Sequence, residues 1–221
     1  MGMMSDITSK YSSVEAWVYD AVVAPAVARS YLDRFKPTGL LDAGGARLLD
    51  VGCGGGQIAL ALARRFEGAS FVGLDLSEDQ IRRARRRIGA LSNIDFVVGD
   101  ALQLPFDDDE FDTVISVACI KHWPDKMRGL RECHRVLKPG GTFQLVEVDR
   151  NSTHSEVAWF SSDWSLPTSV RTFGAGLFRK HIANRSISVE EARDLLEVLD
   201  WASLELRRVD GTPAFVARCT K

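Results

Sequence analysis

Leu48-Leu49-Asp50-Val51-Gly52-Cys53-Gly54-Gly55-Gly56-Gln57 is the stretch on which the fold turns. Arg47 to Val51 is a short apolar run that predicts a buried strand. Gly52, Gly54, Gly55 and Gly56 follow at once, and from Gln57 to Phe66 the apolar residues Ile58, Leu60, Ala61 and Leu62 recur at helical spacing. Glycine lets a backbone approach a ligand closely, and a helix N-terminus offers unpaired N–H groups. The turn is therefore expected to cradle a ligand. A dinucleotide fingerprint, G-x-G-x-x-G, fails when counted from Gly52, because its third position is Gln57. Counted from Gly54 it reaches Ala59, which the looser form allows. The fuller pattern is D-x-G-x-G-x-G, led by Asp50. An acidic residue there suits a ligand carrying positive charge better than one carrying pyrophosphate.

Outward from this turn, strand and helix patterns alternate. Ser70 to Leu76, Ile94 to Val98, Phe111 to Cys119 and Thr142 to Val148 read as strands. Helices are expected after the capping box Ser77–Gln80, over Lys126 to Leu137, and from the capping box Ser188–Glu191 to Leu199. Lys138-Pro139-Gly140-Gly141 stops the second of these. Trp201 to Val209 and Phe215 to Cys219 read as a hairpin around Asp210-Gly211-Thr212-Pro213. Such alternation implies an α/β fold with a mostly parallel sheet wound on both faces. Two segments fall outside the rhythm. Residues 11–36 suggest one or two helices, with Pro25 at a helix start, and residues 149–186 are rich in Ser, Thr, Trp, Phe and Arg.

The 221 residues suffice for one domain with its own core, divided as N-terminal helical lid 1–45, cofactor-binding core 46–149, substrate-side insert 150–187 and closing helix and hairpin 188–221. Lys+Arg number 28 against 30 Asp+Glu, so no overall charge draws the chain to nucleic acid or anionic membrane. No apolar run approaches the roughly 20 residues of a membrane span, and the N-terminus lacks the basic-then-apolar pattern of a signal peptide. Cys53, Cys119, Cys133 and Cys219 form no C-x-x-C pair; free thiols in a reducing cytoplasm are expected, with no metal. The run Arg82 to Arg87 reads as the solvated face of an amphipathic helix.

Two carboxylates close later strands. Asp75 in Gly73-Leu74-Asp75-Leu76-Ser77 is placed to accept both hydroxyls of a ribose. Asp100 in Val98-Gly99-Asp100-Ala101 is placed to accept an adenine amine, with the Ala101 N–H toward a ring nitrogen.

LLDVGCGGGQIAL, GLDLS, VVGDALQLPFDDDEFDTVIS and RECHRVLKPGG, in this order and spacing over about residues 46–149, resemble the class I S-adenosylmethionine-dependent methyltransferases, particularly the branch with ubiquinone/menaquinone-type and other small-molecule enzymes. The resemblance implies a Rossmann-like, doubly wound seven-stranded sheet with its last strand antiparallel, and S-adenosylmethionine as cofactor. It implies that Asp50, Gly52 and Gly54 surround the methionine part, that Asp75 and Leu76 hold the ribose and flank adenine, and that Asp100 and Ala101 hold adenine. Ala118 to Trp123 would border the sulfonium. The implied activity is methyl transfer to a small-molecule acceptor, at oxygen, carbon or nitrogen in that order, by in-line displacement. The rivals are a cofactor-binding homologue without catalysis and an NAD-type dehydrogenase.

His122 is the base candidate if the nucleophile is protonated. Tyr11, Trp17 and Tyr19 in the first irregular segment, and Trp159, Phe160, Trp164, Arg171, Phe173, Phe178 and Arg179 in the second, are expected to line the acceptor site. Aromatic walls suit a planar or apolar acceptor, and the arginines an anionic one. Neither nucleic acid nor membrane is expected as a partner; the chain is expected to act as a monomer or homodimer.

Overall fold

The computed structural model describes residues 24–32, 45–162 and 185–221. Their elements, in chain order, are α1 (Ala24–Ser30), β1 (Arg47–Val51), α2 (Gln57–Arg65), β2 (Ser70–Asp75), α3 (Glu78–Arg87), β3 (Ile94–Val98) and β4 (Phe111–Val117). A 3-10 turn (Ile120–His122), α4 (Lys126–Val136), β5 (Leu137–Val148), α5 (His154–Ser162), α6 (Val189–Glu197), β6 (Ser203–Arg208) and β7 (Ala214–Thr220) complete them. The strands form one seven-stranded sheet in the order β3-β2-β1-β4-β5-β7-β6. Pairing is parallel from β3 to β5, while β7 runs antiparallel to both β5 and β6.

Alternation along each strand splits the core in two. Leu48, Ile115, Val117 and Val146 belong to one apolar cluster with residues of α1, α2 and α3. Leu49, Val51, Val114 and Leu145 belong to the other, with residues of α4 and α6. Both faces are dry, as near-continuous apolar strands require. Helix starts follow the caps: the Gln80 and Glu191 N–H groups donate to the hydroxyls of Ser77 and Ser188, and Arg128 N–H donates to Asp125 Oδ1 at 2.9 Å.

Of the boundaries that differ from the sequence reading, two bear on the site. β4 ends at Val117, two residues early, because Ala118 turns left-handed at φ 54. β5 starts at Leu137 instead of Thr142: Leu137 already pairs with Phe111, the register shifts before Thr113, and Gly140 N–H donates to the Lys221 carbonyl. The Lys138–Gly141 stretch ends the helix as expected but runs on directly as strand.

The arginines of α3 also do more than face solvent. Arg85 donates twice to the Phe96 carbonyl, Arg87 Nη1 donates to the Gly55 carbonyl at 2.8 Å, and Arg82 pairs with Asp79. All four cysteines are free thiols. No helix among the described residues is long and apolar enough to cross a membrane.

Candidate functional site

The glycine turn is built at the tip of β1. Gly52 sits at φ 80, and its N–H and that of Cys53 donate to the Leu74 carbonyl at 2.7 and 2.9 Å. A methyl group on Gly52 would collide with the Cys119 sulfur. Gly56, also at φ 80, opens α2 without any side-chain cap, and a methyl there would lie 2.6 Å from the Phe96 ring. These positions exclude side chains both sterically and by backbone conformation.

Asp75 ties the turn to β2. One oxygen accepts the Gly54 N–H and the other the Ser77 N–H, each at 2.9 Å. Burial raises its pKa, while those two bonds pull it down. Asp50 is 2% exposed, and its Oδ2 has no hydrogen-bond partner. Burial, and then the charge of Asp75, push its pKa up to about 7. A buried carboxylate oxygen without a partner is costly, and two carboxylates at one turn disfavour pyrophosphate. The donor set fits a ligand that brings a cation to Asp50. Leu76 and Val98, 54% and 41% exposed, are large apolar residues left open at the tips of β2 and β3. Asp100 Oδ1 accepts the Leu102 N–H at 2.9 Å, and the Ala101 side chain is buried.

The tips of β4 and β5 are organised differently. The Lys121 ammonium lies 3.0 and 3.2 Å from the Glu147 carboxylate oxygens and also donates to the Ala118 carbonyl. Glu147 Oε1 accepts the Val148 N–H as well, at 2.8 Å. The two side chains are 4% and 0% exposed. Just beyond β5, buried Asp149 pairs with Arg208 at 3.1 Å. His122 is exposed to solvent. The protein packed around its ring, then the charges of Lys121 and Arg185, lower its pKa to about 4.

The structure thus brings Asp50, Gly52, Gly54 and Asp75 together in one cradle, with Leu76 at its β2 side. Asp100 and Ala101 follow β3, and Ala118 and His122 follow β4. Trp123, expected beside the sulfonium with the rest of Ala118–Trp123, closes that segment. Its ring is buried against Gly129 in α4 and bonds the Cys119 thiol, so it backs the glycine turn from behind. The physical reason is that Ile120–His122 makes a tight 3-10 turn, which sends the next large apolar residue into the core. His134 is structural: its ring meets Trp201 edge-on at 4.7 Å.

Tyr11, Trp17, Tyr19, Trp164, Arg171, Phe173, Phe178 and Arg179 lie outside the described residues, and Trp159 and Phe160 lie on α5 without a described side chain. Sequence reasoning missed the Lys121–Glu147 pair and Tyr31, which is 1% exposed and donates to Gln144 Oε1 at 2.7 Å. Glu147 carried a signal: a lone charge in the apolar run Leu145-Val146-Glu147-Val148 needs a buried partner.

The model of a family described as "Methyltransferase domain" matches residues 49–145. The phthiotriol/phenolphthiotriol dimycocerosates methyltransferase of Mycobacterium tuberculosis is 35% identical over 194 residues, which cover 83% of this chain and 69% of that protein. The fatty-acid O-methyltransferase of Mycolicibacterium smegmatis is 46% identical over 107 residues, 48% of this chain and 39% of that protein. Among solved structures, a protein of Methanococcus maripaludis provisionally assigned as an S-adenosyl-L-methionine-dependent methyltransferase superposes with a TM-score of 0.72 at 21% identity, covering 100% of this chain and 96% of the other.

Proposed function

The chain belongs to the class I S-adenosylmethionine-dependent methyltransferases, and from that premise we propose that it methylates an apolar or lipid-like small molecule, at oxygen before carbon or nitrogen. Methyl transfer from S-adenosylmethionine to a small-molecule acceptor is the reaction; the acceptor class and the residue roles are the proposal. One observation carries the cofactor assignment to residues: the unpartnered, buried Asp50 Oδ2 beside Asp75 in a turn without side chains. The two relatives named above act, by their names, on dimycocerosates and on fatty acids. Those names support an apolar acceptor here.

When bound, S-adenosylmethionine supplies a methyl already activated on a sulfonium sulfur. The chain's residues divide the remaining work. Asp50 would hold the cofactor's ammonium, and Gly52 and Gly54 would permit close backbone approach to the methionine part. Asp75, after its bonds to Gly54 and Ser77, has lone pairs left for the ribose hydroxyls. Leu76 and Val98 would flank the faces of the adenine, with Asp100 and the Ala101 N–H at its polar edge. Ala118 would border the sulfonium. His122, uncharged at neutral pH, takes the proton of an acceptor hydroxyl. Alignment of nucleophile, methyl and sulfur contributes about 7–11 kcal/mol in well-oriented reactions.

The test is a pair of measurements on the intact chain. Calorimetry with S-adenosylhomocysteine should show binding, and NAD(H) should not bind. A labelled-methyl assay over fatty acids, phenols and hydroquinones should then show transfer to an oxygen acceptor. Binding of NAD(H) alone sinks the cofactor assignment. Tight S-adenosylhomocysteine binding with transfer only to polar, charged amines sinks the acceptor class.

A further inference from the structure

We propose that Lys121 is a positioning residue for methyl transfer: clamped by Glu147, its ammonium locks the left-handed turn at Ala118 and so fixes the turn that carries His122 past the tip of β4. The inference rests on reading His122 as the base. Four features support it.

The ammonium has three donors, and three acceptors meet it: both Glu147 oxygens and the Ala118 carbonyl. This arrangement joins the end of β4 to the end of β5, where Ala118 N–H also donates to the Val146 carbonyl at 2.8 Å. Ala118 holds φ 54, a conformation that a residue with a Cβ avoids without outside restraint. The ion pair is nearly solvent-free, and an apolar pair of similar volume would stabilise a fold at least as well. A role in placement accounts for the pair better than a role in stability does. Finally, the clamp acts on the base itself. Among the described residues, the charges that lower the His122 pKa are Lys121 on its own turn and Arg185 ahead of α6; Glu147, on β5, pairs with Lys121. Both cations oppose protonation of the ring, so His122 stays able to accept a proton well below neutral pH.

The decisive variant is Lys121→Met with Glu147→Leu, which removes both charges and strands neither. It should fold, and it should bind S-adenosylhomocysteine within about threefold of the parent, since the glycine cradle is untouched. Its kcat should fall about tenfold or more, the scale of a misplaced general base. The acid limb of its kcat profile, and the His122 imidazole signal followed by NMR, should both move up by about half a pH unit or more. A folded double variant with parental kcat overturns the positioning role. So does one whose His122 titration does not move. If the Met/Leu pair does not fold, Lys121→Gln with Glu147→Gln decides. It keeps an amide donor for the Ala118 carbonyl but no charge, so the same upward shift of His122 is expected, and an unmoved titration overturns the proposal. His122→Ala separates the two layers. Full turnover there ends the base reading while leaving the kcat loss of the Met/Leu variant to report on the Ala118 turn.

Discussion

At the tips of β1 and β2, the buried Asp50 and the half-buried Asp75 feel one another's charge without a cation among the described residues: Asp75 raises the pKa of Asp50, and Asp50 Oδ2 has no partner. At the tips of β4 and β5, two buried carboxylates are neutralised, Glu147 by Lys121 at 3.0 Å and Asp149 by Arg208 at 3.1 Å. The sheet is the same; the charge treatment is opposite. Completed pairs belong to the scaffold. An incomplete pair marks where a cationic ligand supplies the missing charge, which agrees with a sulfonium nucleoside that also carries an ammonium.

Breaking the completed side should have the largest effect. Glu147→Gln strands a buried ammonium and should cost about 3–5 kcal/mol of stability, read from urea unfolding. A loss under about 1 kcal/mol would mean that water reaches Lys121, and the contrast would fall. On the incomplete side, Asp75→Ala removes the proposed ribose acceptor and the bonds to Gly54 and Ser77. It should weaken S-adenosylhomocysteine binding by about 2–4 kcal/mol, measured by calorimetry. Unchanged affinity would reduce Asp75 to a loop staple.

The smallest effect sharpens the comparison most. The folded pKa of Asp50, about 7, lies above its ordinary value of 3.8. The folded state therefore favours the neutral acid. The associated stability is fully present below about pH 4 and is lost as pH rises through about 7. Asp50→Asn should leave ligand-free stability unchanged near pH 4 and raise it by about 1–2 kcal/mol at pH 8, part of the gain being offset by the buried amide. In the parent chain, affinity for S-adenosylhomocysteine, which keeps the ammonium, should rise as pH passes through 7. A flat profile in both measurements would show that Asp50 is already neutralised in the free protein.

The order of strands and helices was legible because each element carries its own signal. Ser77 and Ser188 announce their helices, Gly52 to Gly56 announce the turn, and Asp210 to Pro213 announce the hairpin. The ends of β4 and the start of β5 were less so. Ala118 and Leu137 are ordinary residues in sequence, and their conformations go with tertiary contacts: the Lys121 and Val146 bonds of one and the Phe111 pairing of the other. Asp50 and Asp75 could be picked out as strand-closing carboxylates. That one would be stapled to Gly54 and the other left with an oxygen unpartnered could not.

From the chain alone came the alternating α/β pattern, the glycine turn and the acidic strand ends, since helical and strand periodicity, caps and turn residues act within a few positions of each other. Folding alone decided which charges meet. Lys121 and Glu147 stand 26 residues apart, and Tyr31 and Gln144 stand 113 apart. Coulomb and desolvation energies depend on distance and burial in space, which no local pattern encodes.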